Sequence, residues 1–370
     1  MLSNSVSEKC YKLFFLIFFI LPFHTTNGKE FPWIAGSTVH TGFLINHHEN
    51  MKIFNEQIPC LYELYIAKTT SGEKPWHSFY RNPQYGVSYM MFDLGSPSYL
   101  GKAHGIYPFM NFLLTQSGKR ASLNMQIGGG IAYMEKIFNR FDNYKNIAIS
   151  SRFNAIINFR MEGRVQVAAP LHLSGGWALS HISNGTVKKP NAGLNYVTVN
   201  AGINYAFGKE RFAEAADVYG DETGRKWHYT VYLSGGVKSY SIYDNAKYAA
   251  SGLSFEASRS HLAFTRFSGV FDLFYDSSDY AYLVDKEVEI SKIQTIKPAL
   301  AAGYVFLFGN LSANVQMGRY LYAKNQQYGA LYQRLGLGYL ISDRLNVRFG
   351  LKTHWSQADY IEFSLGYRIN

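Results

Sequence analysis

The chain has 370 residues, a formal net charge of +10, 16% aromatic residues and only 17% charged residues. Soluble domains carry about 25% charged residues, whereas the mean hydropathy of −0.14 is too polar for a bundle of membrane helices. The composition therefore favours a sheet with one apolar and one polar face over an ordinary soluble enzyme. No dense basic block accompanies the positive charge, so nucleic acid is not expected as a partner.

The first 28 residues have the features of a secretory signal peptide. Two lysines precede an apolar run at residues 13–21, and Thr26 and Gly28 are small residues suited to a cleavage site. The run is shorter than the roughly 20 residues that a membrane-spanning helix needs. We therefore predict that residues 1–28 direct export; an N-terminal membrane anchor is the alternative.

Alternation of apolar and polar residues predicts strands along most of the remaining chain. In the last one, Ile361, Phe363 and Leu365 form one row, and Glu362 and Ser364 form the other. Many of the strands have ten or more residues, enough to cross a bilayer when tilted. Sixteen strands are predicted, with fourteen also acceptable, near 37–46, 60–68, 86–94, 104–115, 120–133, 148–161, 165–183, 195–207, 227–240, 252–262, 267–276, 297–308, 311–323, 329–341, 344–354 and 360–369.

Such strands predict a closed barrel, because every backbone N–H and C=O must be paired inside hydrocarbon. Most of the short connections fall on one side, as in outer-membrane barrels, although 69–85 and 208–226 are long where this scheme expects short ones. We predict an all-β, antiparallel transmembrane β-barrel of the outer membrane with about 14–16 strands. The long connection at 208–226 leaves open an eight-stranded barrel followed by a second β unit. Residues 29–207 then form the part with the candidate site, and residues 208–370 add further strands; a secreted soluble β-sandwich is the fallback.

One predicted hairpin ends in polar residues on a face that should contact lipid. The outward row through Trp177 continues to His181 and Ser183, and the apolar row of the next strand extends back to Asn195. One interpretation is that these residues lie at headgroup height, where a polar side chain costs little free energy and need not have a function. Serine, however, needs a base to take its proton, usually a histidine that a third group orients. We predict Ser183 as nucleophile, His181 as base, Asn195 as the orienting group and Asn184 as an oxyanion donor.

The stretch Ser180-His181-Ile182-Ser183-Asn184-Gly185, followed by residues 189–195, resembles the PagL-like lipid A 3-O-deacylases and the related acyloxyacyl hydrolases. Residues 41–48, 99–108 and 144–149 also resemble this family, and the likeness is good from about 37 to 207 and vague beyond. The resemblance implies an outer-membrane barrel that hydrolyses an ester-linked acyl chain of lipid A with a serine, a histidine and an acidic residue.

The acidic position of the family falls on Asn195, which can orient a histidine but supplies no charge. Asp142 or Glu135 is an alternative source of a carboxylate. Gly185 joins Asn184 as an expected oxyanion or substrate-binding residue. Lipid A or lipopolysaccharide is the expected partner, no cofactor or metal is expected, and no oligomeric state is predicted.

Two other functions remain open at this point. The first is a non-catalytic channel, since sixteen strands in one barrel would enclose an aqueous lumen. The second is a lipopolysaccharide-binding pseudoenzyme, because Asn195 replaces the acid. A metal at His47 and His48 is a weaker alternative, since adjacent strand residues point to opposite faces.

Overall fold

The structure is a computed structural model that describes residues 33–115, 120–168, 170–207, 226–243, 246–355 and 357–370. These residues form sixteen antiparallel strands, arranged in two closed barrels of eight. The all-β class and the larger strand number are confirmed, and the arrangement is the alternative of two units in place of one large barrel. The predicted signal peptide, residues 1–28, lies outside the described residues. Within the described ranges, no helix combines the length and apolar character that a membrane crossing requires.

The first barrel is closed by pairing of its last strand with its first. Its connections contain a 3-10 helix at Glu49–Phe54 and helix α1 at Pro75–Phe79, which begins with a proline, a residue favoured in the first helical turn. The strands are β1 Trp33–Leu44, β2 Cys60–Thr69, β3 Gln84–Asp93, β4 Lys102–Leu113, β5 Ala121–Met134, β6 Phe153–Ala168, β7 Leu171–Ser183 and β8 Leu194–Phe207.

Charged side chains fill the interior of the first barrel. Arg160 is fully buried, pairs with Glu63, and lies 3.2 Å from the carboxylate of Glu162. Its Nη2 donates to Gln126 Oε1 at 2.6 Å, and Arg164 Nε donates to Glu162 Oε1 at 2.7 Å. Eight strands leave an interior that side chains can fill. Side chains therefore occupy the interior of this barrel, where the channel hypothesis requires an aqueous lumen.

Apolar side chains form a separate cluster that anchors the hairpin of β7 and β8. Ile182 and Leu194 point inward and are fully buried, and they share one apolar cluster with Met51, Phe54 and Ile149. Because neighbouring strand residues point to opposite faces, burial of Ile182 directs residues 181 and 183 outward. The packing of the cluster therefore fixes which face carries the polar residues.

The second barrel is closed by pairing between its first and last strands. Inside it, Arg334 Nη2 lies 3.3 Å from Asp272 and Nε lies 3.4 Å from Glu362. Its connections contain helix α2 at Ser277–Asp285 and a 3-10 helix at Lys292–Thr295. The strands are β9 Trp227–Lys238, β10 Tyr248–Ser260, β11 Thr265–Asp276, β12 Lys297–Phe308, β13 Leu311–Tyr320, β14 Leu331–Leu340, β15 Leu345–His354 and β16 Gln357–Arg368.

The chain divides into two compact units that correspond to the two barrels, except for one short segment between β7 and β8. Residues 185–191 group with the second unit, whereas Asn184 and residues 192–207 group with the first. The outward ends of β7 and β8 therefore belong to the first unit.

Candidate active site

The register of β7 and β8 brings two of the predicted site residues face to face. His181 pairs directly with Asn195, and Ile182 pairs with Leu194. Side chains of directly opposed residues are close neighbours on one face of an antiparallel pair. Ser183 follows His181 by two positions and therefore lies on the same outward face, although it is only 4% exposed. The pattern of the sequence had placed these three residues at the same end of neighbouring strands.

Two hydrogen bonds connect the three side chains in a line. His181 Nδ1 lies 2.6 Å from Asn195 Oδ1, and His181 Nε2 lies 2.9 Å from Ser183 Oγ. Because Asn195 Oδ1 can only accept, Nδ1 carries the hydrogen and Nε2 presents a lone pair to the serine hydroxyl. This is the arrangement of nucleophile, base and orienting group that activates a serine.

A glycine that the site analysis of the sequence missed packs against the imidazole. Gly193 has a φ of +78°, and a methyl group there would lie 3.1 Å from His181 Cε1. The segment is held in place because Ala192 N–H donates to Ile147 O at 3.1 Å and Gly193 N–H donates to Ala148 O at 3.0 Å. Because glycine tolerates a left-handed backbone and has no side chain, the chain can pass this close to the imidazole.

The predicted oxyanion residues lie in different surroundings. Asn184 is buried, and its Nδ2 donates to Ser151 Oγ at 2.9 Å and lies 3.3 Å from Ser150 Oγ. Gly185 has a φ of +59° and begins the segment that groups with the second unit, and a methyl group there would lie 2.5 Å from Ile361 Cγ1. The oxyanion role of both residues stays a prediction.

A second histidine, which was not predicted to act in catalysis, contacts Asn195. His47 Nε2 lies 2.9 Å from Ala192 O, and His47 Nδ1 lies 3.5 Å from Asn195 Nδ2. His47 lies in the stretch 41–48, whose resemblance to the family could have indicated a role in the site. From the sequence, it was considered only as a metal ligand. No group of three histidine, cysteine, aspartate or glutamate residues suited to a metal occurs in the described ranges.

One of the alternative carboxylates is engaged elsewhere in the first barrel. Glu135 Oε2 accepts from Lys102 N–H at 3.0 Å, and Glu135 Oε1 lies 3.8 Å from His104 Nε2. Asp142 N–H lies 3.4 Å from Asn139 Oδ1 within the connection between β5 and β6. Asn195 is thus the side chain that meets His181 Nδ1.

Comparison with known proteins identifies the class as an outer-membrane ester hydrolase. Residues 61–204 match the family described as lipid A 3-O-deacylase (PagL), and residues 227–370 match the C-terminal domain of acyloxyacyl hydrolase. Together these matches cover more than three quarters of the chain, which belongs to the PagL family. The protein is therefore an outer-membrane lipid A deacylase, which confirms the predicted family, enzyme class, substrate and membrane.

Solved structures that the chain matches include porin variants from Rhodopseudomonas blastica and the outer membrane protein Omp33 from Acinetobacter baumannii. One porin variant is 9% identical, with 92% of this chain and 99% of that chain covered and a TM-score of 0.18. Omp33 is 6% identical, with 91% and 99% covered and the same TM-score of 0.18. No curated protein sequence matches the chain significantly.

Proposed function

We propose that the chain deacylates lipid A as a serine esterase, with Ser183 as nucleophile, His181 as base and Asn195 as the orienting group. The observation that carries this proposal is the line of two hydrogen bonds, 2.9 Å and 2.6 Å long, from Ser183 through His181 to Asn195. The orienting bond occupies Nδ1, so that Nε2 is free to take the proton of the serine hydroxyl.

The reaction then proceeds through an acyl-enzyme. Ser183 Oγ forms a bond to the ester carbonyl carbon while its proton moves to His181 Nε2, and the ester C–O bond to the sugar breaks as His181 returns that proton to the sugar oxygen. Water repeats the sequence and releases the fatty acid. Asn184 and Gly185, the first two residues after the nucleophile, are the proposed source of donors to the oxyanion. These steps require no metal or organic cofactor.

The outward placement of the site suits a substrate that stays in the membrane. Below His181 the outward row of β7 continues with Leu179 and Trp177, which are 41% and 43% exposed. Apolar outward residues of a membrane barrel contact acyl chains, and polar residues at the end of the row lie near headgroup height. An ester between a sugar and an acyl chain lies at that same boundary. We also propose that residues 1–28 are the signal peptide that exports the chain.

The test is the mass of lipid A from outer membranes that contain the protein. Wild type removes one acyl mass, and Ser183→Ala abolishes that change because no hydroxyl remains to form the acyl-enzyme. Ser180→Ala is the matched control, since Ser180 lies on the same strand but points inward and accepts from Asn158 at 2.8 Å. Full deacylation by folded Ser183→Ala would refute the mechanism, and no deacylation by wild type would favour a pseudoenzyme.

Asn195→Asp is expected to raise the turnover number by about tenfold. A charge-assisted hydrogen bond to the developing imidazolium is about twice as strong as a neutral one, and about 1.4 kcal/mol of transition-state stabilisation is worth a factor of ten. Initial rates with purified protein and lipid A in detergent measure the change. Asn50→Asp adds the same charge at an exposed position and serves as control. An unchanged or lower rate in Asn195→Asp would show that charge at this position does not limit the reaction.

A further inference from the structure

We propose that His47 is a positioning residue that determines which end of the Asn195 carboxamide faces His181. The proposal rests on the serine mechanism above and adds a fourth side chain to it. Its basis is the 3.5 Å contact between Asn195 Nδ2 and His47 Nδ1, together with the 2.9 Å contact between His47 Nε2 and Ala192 O.

An asparagine in this position creates a problem that an acidic residue does not have. The two oxygens of a carboxylate are equivalent, but a carboxamide has an accepting end and a donating end. If Nδ2 of Asn195 faced His181, it would donate to Nδ1 and leave the hydrogen on Nε2. Nε2 could then take no proton from Ser183, which is the wrong tautomer for a base. The site therefore works in only one of two amide orientations.

The contacts of His47 favour the productive orientation. The carbonyl oxygen of Ala192 can only accept, so His47 Nε2 carries the hydrogen, and in a neutral imidazole Nδ1 is then an acceptor. This acceptor meets Asn195 Nδ2 and would meet Oδ1 if the amide turned over. Ile45 O lies 3.3 Å from the same nitrogen, but the shorter contact of 2.9 Å with Ala192 O places the single hydrogen of the neutral ring on Nε2 and leaves the lone pair on Nδ1. A turned amide would therefore place two acceptors against each other.

The backbone keeps His47 close to the start of β8. Ile45 N–H donates to Asn195 O at 2.8 Å, which extends the pairing of β1 with β8 beyond Leu44. Ala192, the acceptor of His47, is itself held through Ile147 at 3.1 Å. Ser183, His181, Asn195 and His47 thus form one chain of side-chain contacts, in which each member has a defined donor and acceptor role.

The test compares His47→Leu in two backgrounds. Leucine removes the acceptor, so with Asn195 present the ratio of productive to turned amide should fall by about tenfold, the order of one lost hydrogen bond. We therefore expect the turnover number to fall by about two- to tenfold, with KM unchanged. In Asn195→Asp the same change should alter turnover by less than about twofold, because either carboxylate oxygen can accept from His181. His47→Gln, which keeps an acceptor and a donor, should restore most of the activity with Asn195.

Two results would overturn the proposal. An equal loss from His47→Leu in both backgrounds would mean that His47 acts only as a structural support through Ala192. No loss with Asn195 present would mean that the amide is oriented without it. Ser183→Ala is measured alongside: activity there would refute the serine mechanism itself, whereas a serine-dependent enzyme that is indifferent to His47 would refute only the inference.

Discussion

His181→Ala is expected to lower the turnover of lipid A deacylation by about 10³-fold or more, with little change in the affinity for lipid A. The ring provides both bonds of the line, 2.9 Å to Ser183 Oγ and 2.6 Å to Asn195 Oδ1. Without it the serine hydroxyl has no base, and alanine cannot return a proton to the leaving sugar oxygen. Single-turnover rates on purified protein in detergent separate this chemical step from binding.

His172→Ala is the control for that experiment, because His172 lies at the opposite end of β7 from His181. It should leave the rate within about twofold. The double variant His181→Ala with Ser183→Ala should be no slower than either single variant, since residues that act as one unit lose their effect together. Additive losses, or a His181→Ala rate close to wild type, would show that another base serves Ser183.

The proximity of the three proposed site residues could be predicted because strand periodicity and position along a hairpin are local properties. Once β7 and β8 are read as neighbouring strands, the outward row of each can be followed to its end, which leads to His181, Ser183 and Asn195. A period of two fixes the face of each residue without any knowledge of the rest of the fold. The family resemblance then supported the chemistry of the same residues.

The division into two barrels could not be decided from the same pattern. An outward and inward alternation is identical in one barrel of sixteen strands and in two of eight, because closure depends on which distant strands form hydrogen bonds. Here β8 returns to pair with β1, and β16 returns to pair with β9. The long connection at 208–226 was the local feature that left this arrangement open.

His47 and Gly193 were missed for a related reason. His47 is 148 positions from Asn195 along the chain, and its contact exists only because the barrel closes between β1 and β8. Gly193 lies next to the strand end, but its left-handed backbone and approach to His181 depend on hydrogen bonds with residues 147 and 148. Asn184 likewise donates to Ser151, which lies in the connection between β5 and β6. Residue type and spacing do not encode such contacts.

Arg160→Met is expected to reduce the free energy of unfolding of the first barrel by about 3–5 kcal/mol. Methionine fills a similar volume, but Glu63 and Glu162 then lose their shared cation while both remain buried. Glu162 still accepts from Arg164 at 2.7 Å, whereas Glu63 loses its arginine and keeps polar neighbours such as Tyr107 at 2.7 Å. Burying a carboxylate whose charge is not balanced costs far more than the lost packing of one side chain.

Urea unfolding of the vesicle-inserted protein measures this loss, with deacylase activity as the signal because the site belongs to the first unit. Arg120→Met is the matched control, since Arg120 is exposed and donates to the backbone oxygen of Gln166 at 3.0 Å. It should shift the midpoint little, while Arg160→Met shifts it strongly. Equal midpoints for the two variants would mean that the buried carboxylates tolerate the loss by taking up protons. In that case the charged side chains would fill the interior of the barrel without contributing much to its free energy of unfolding.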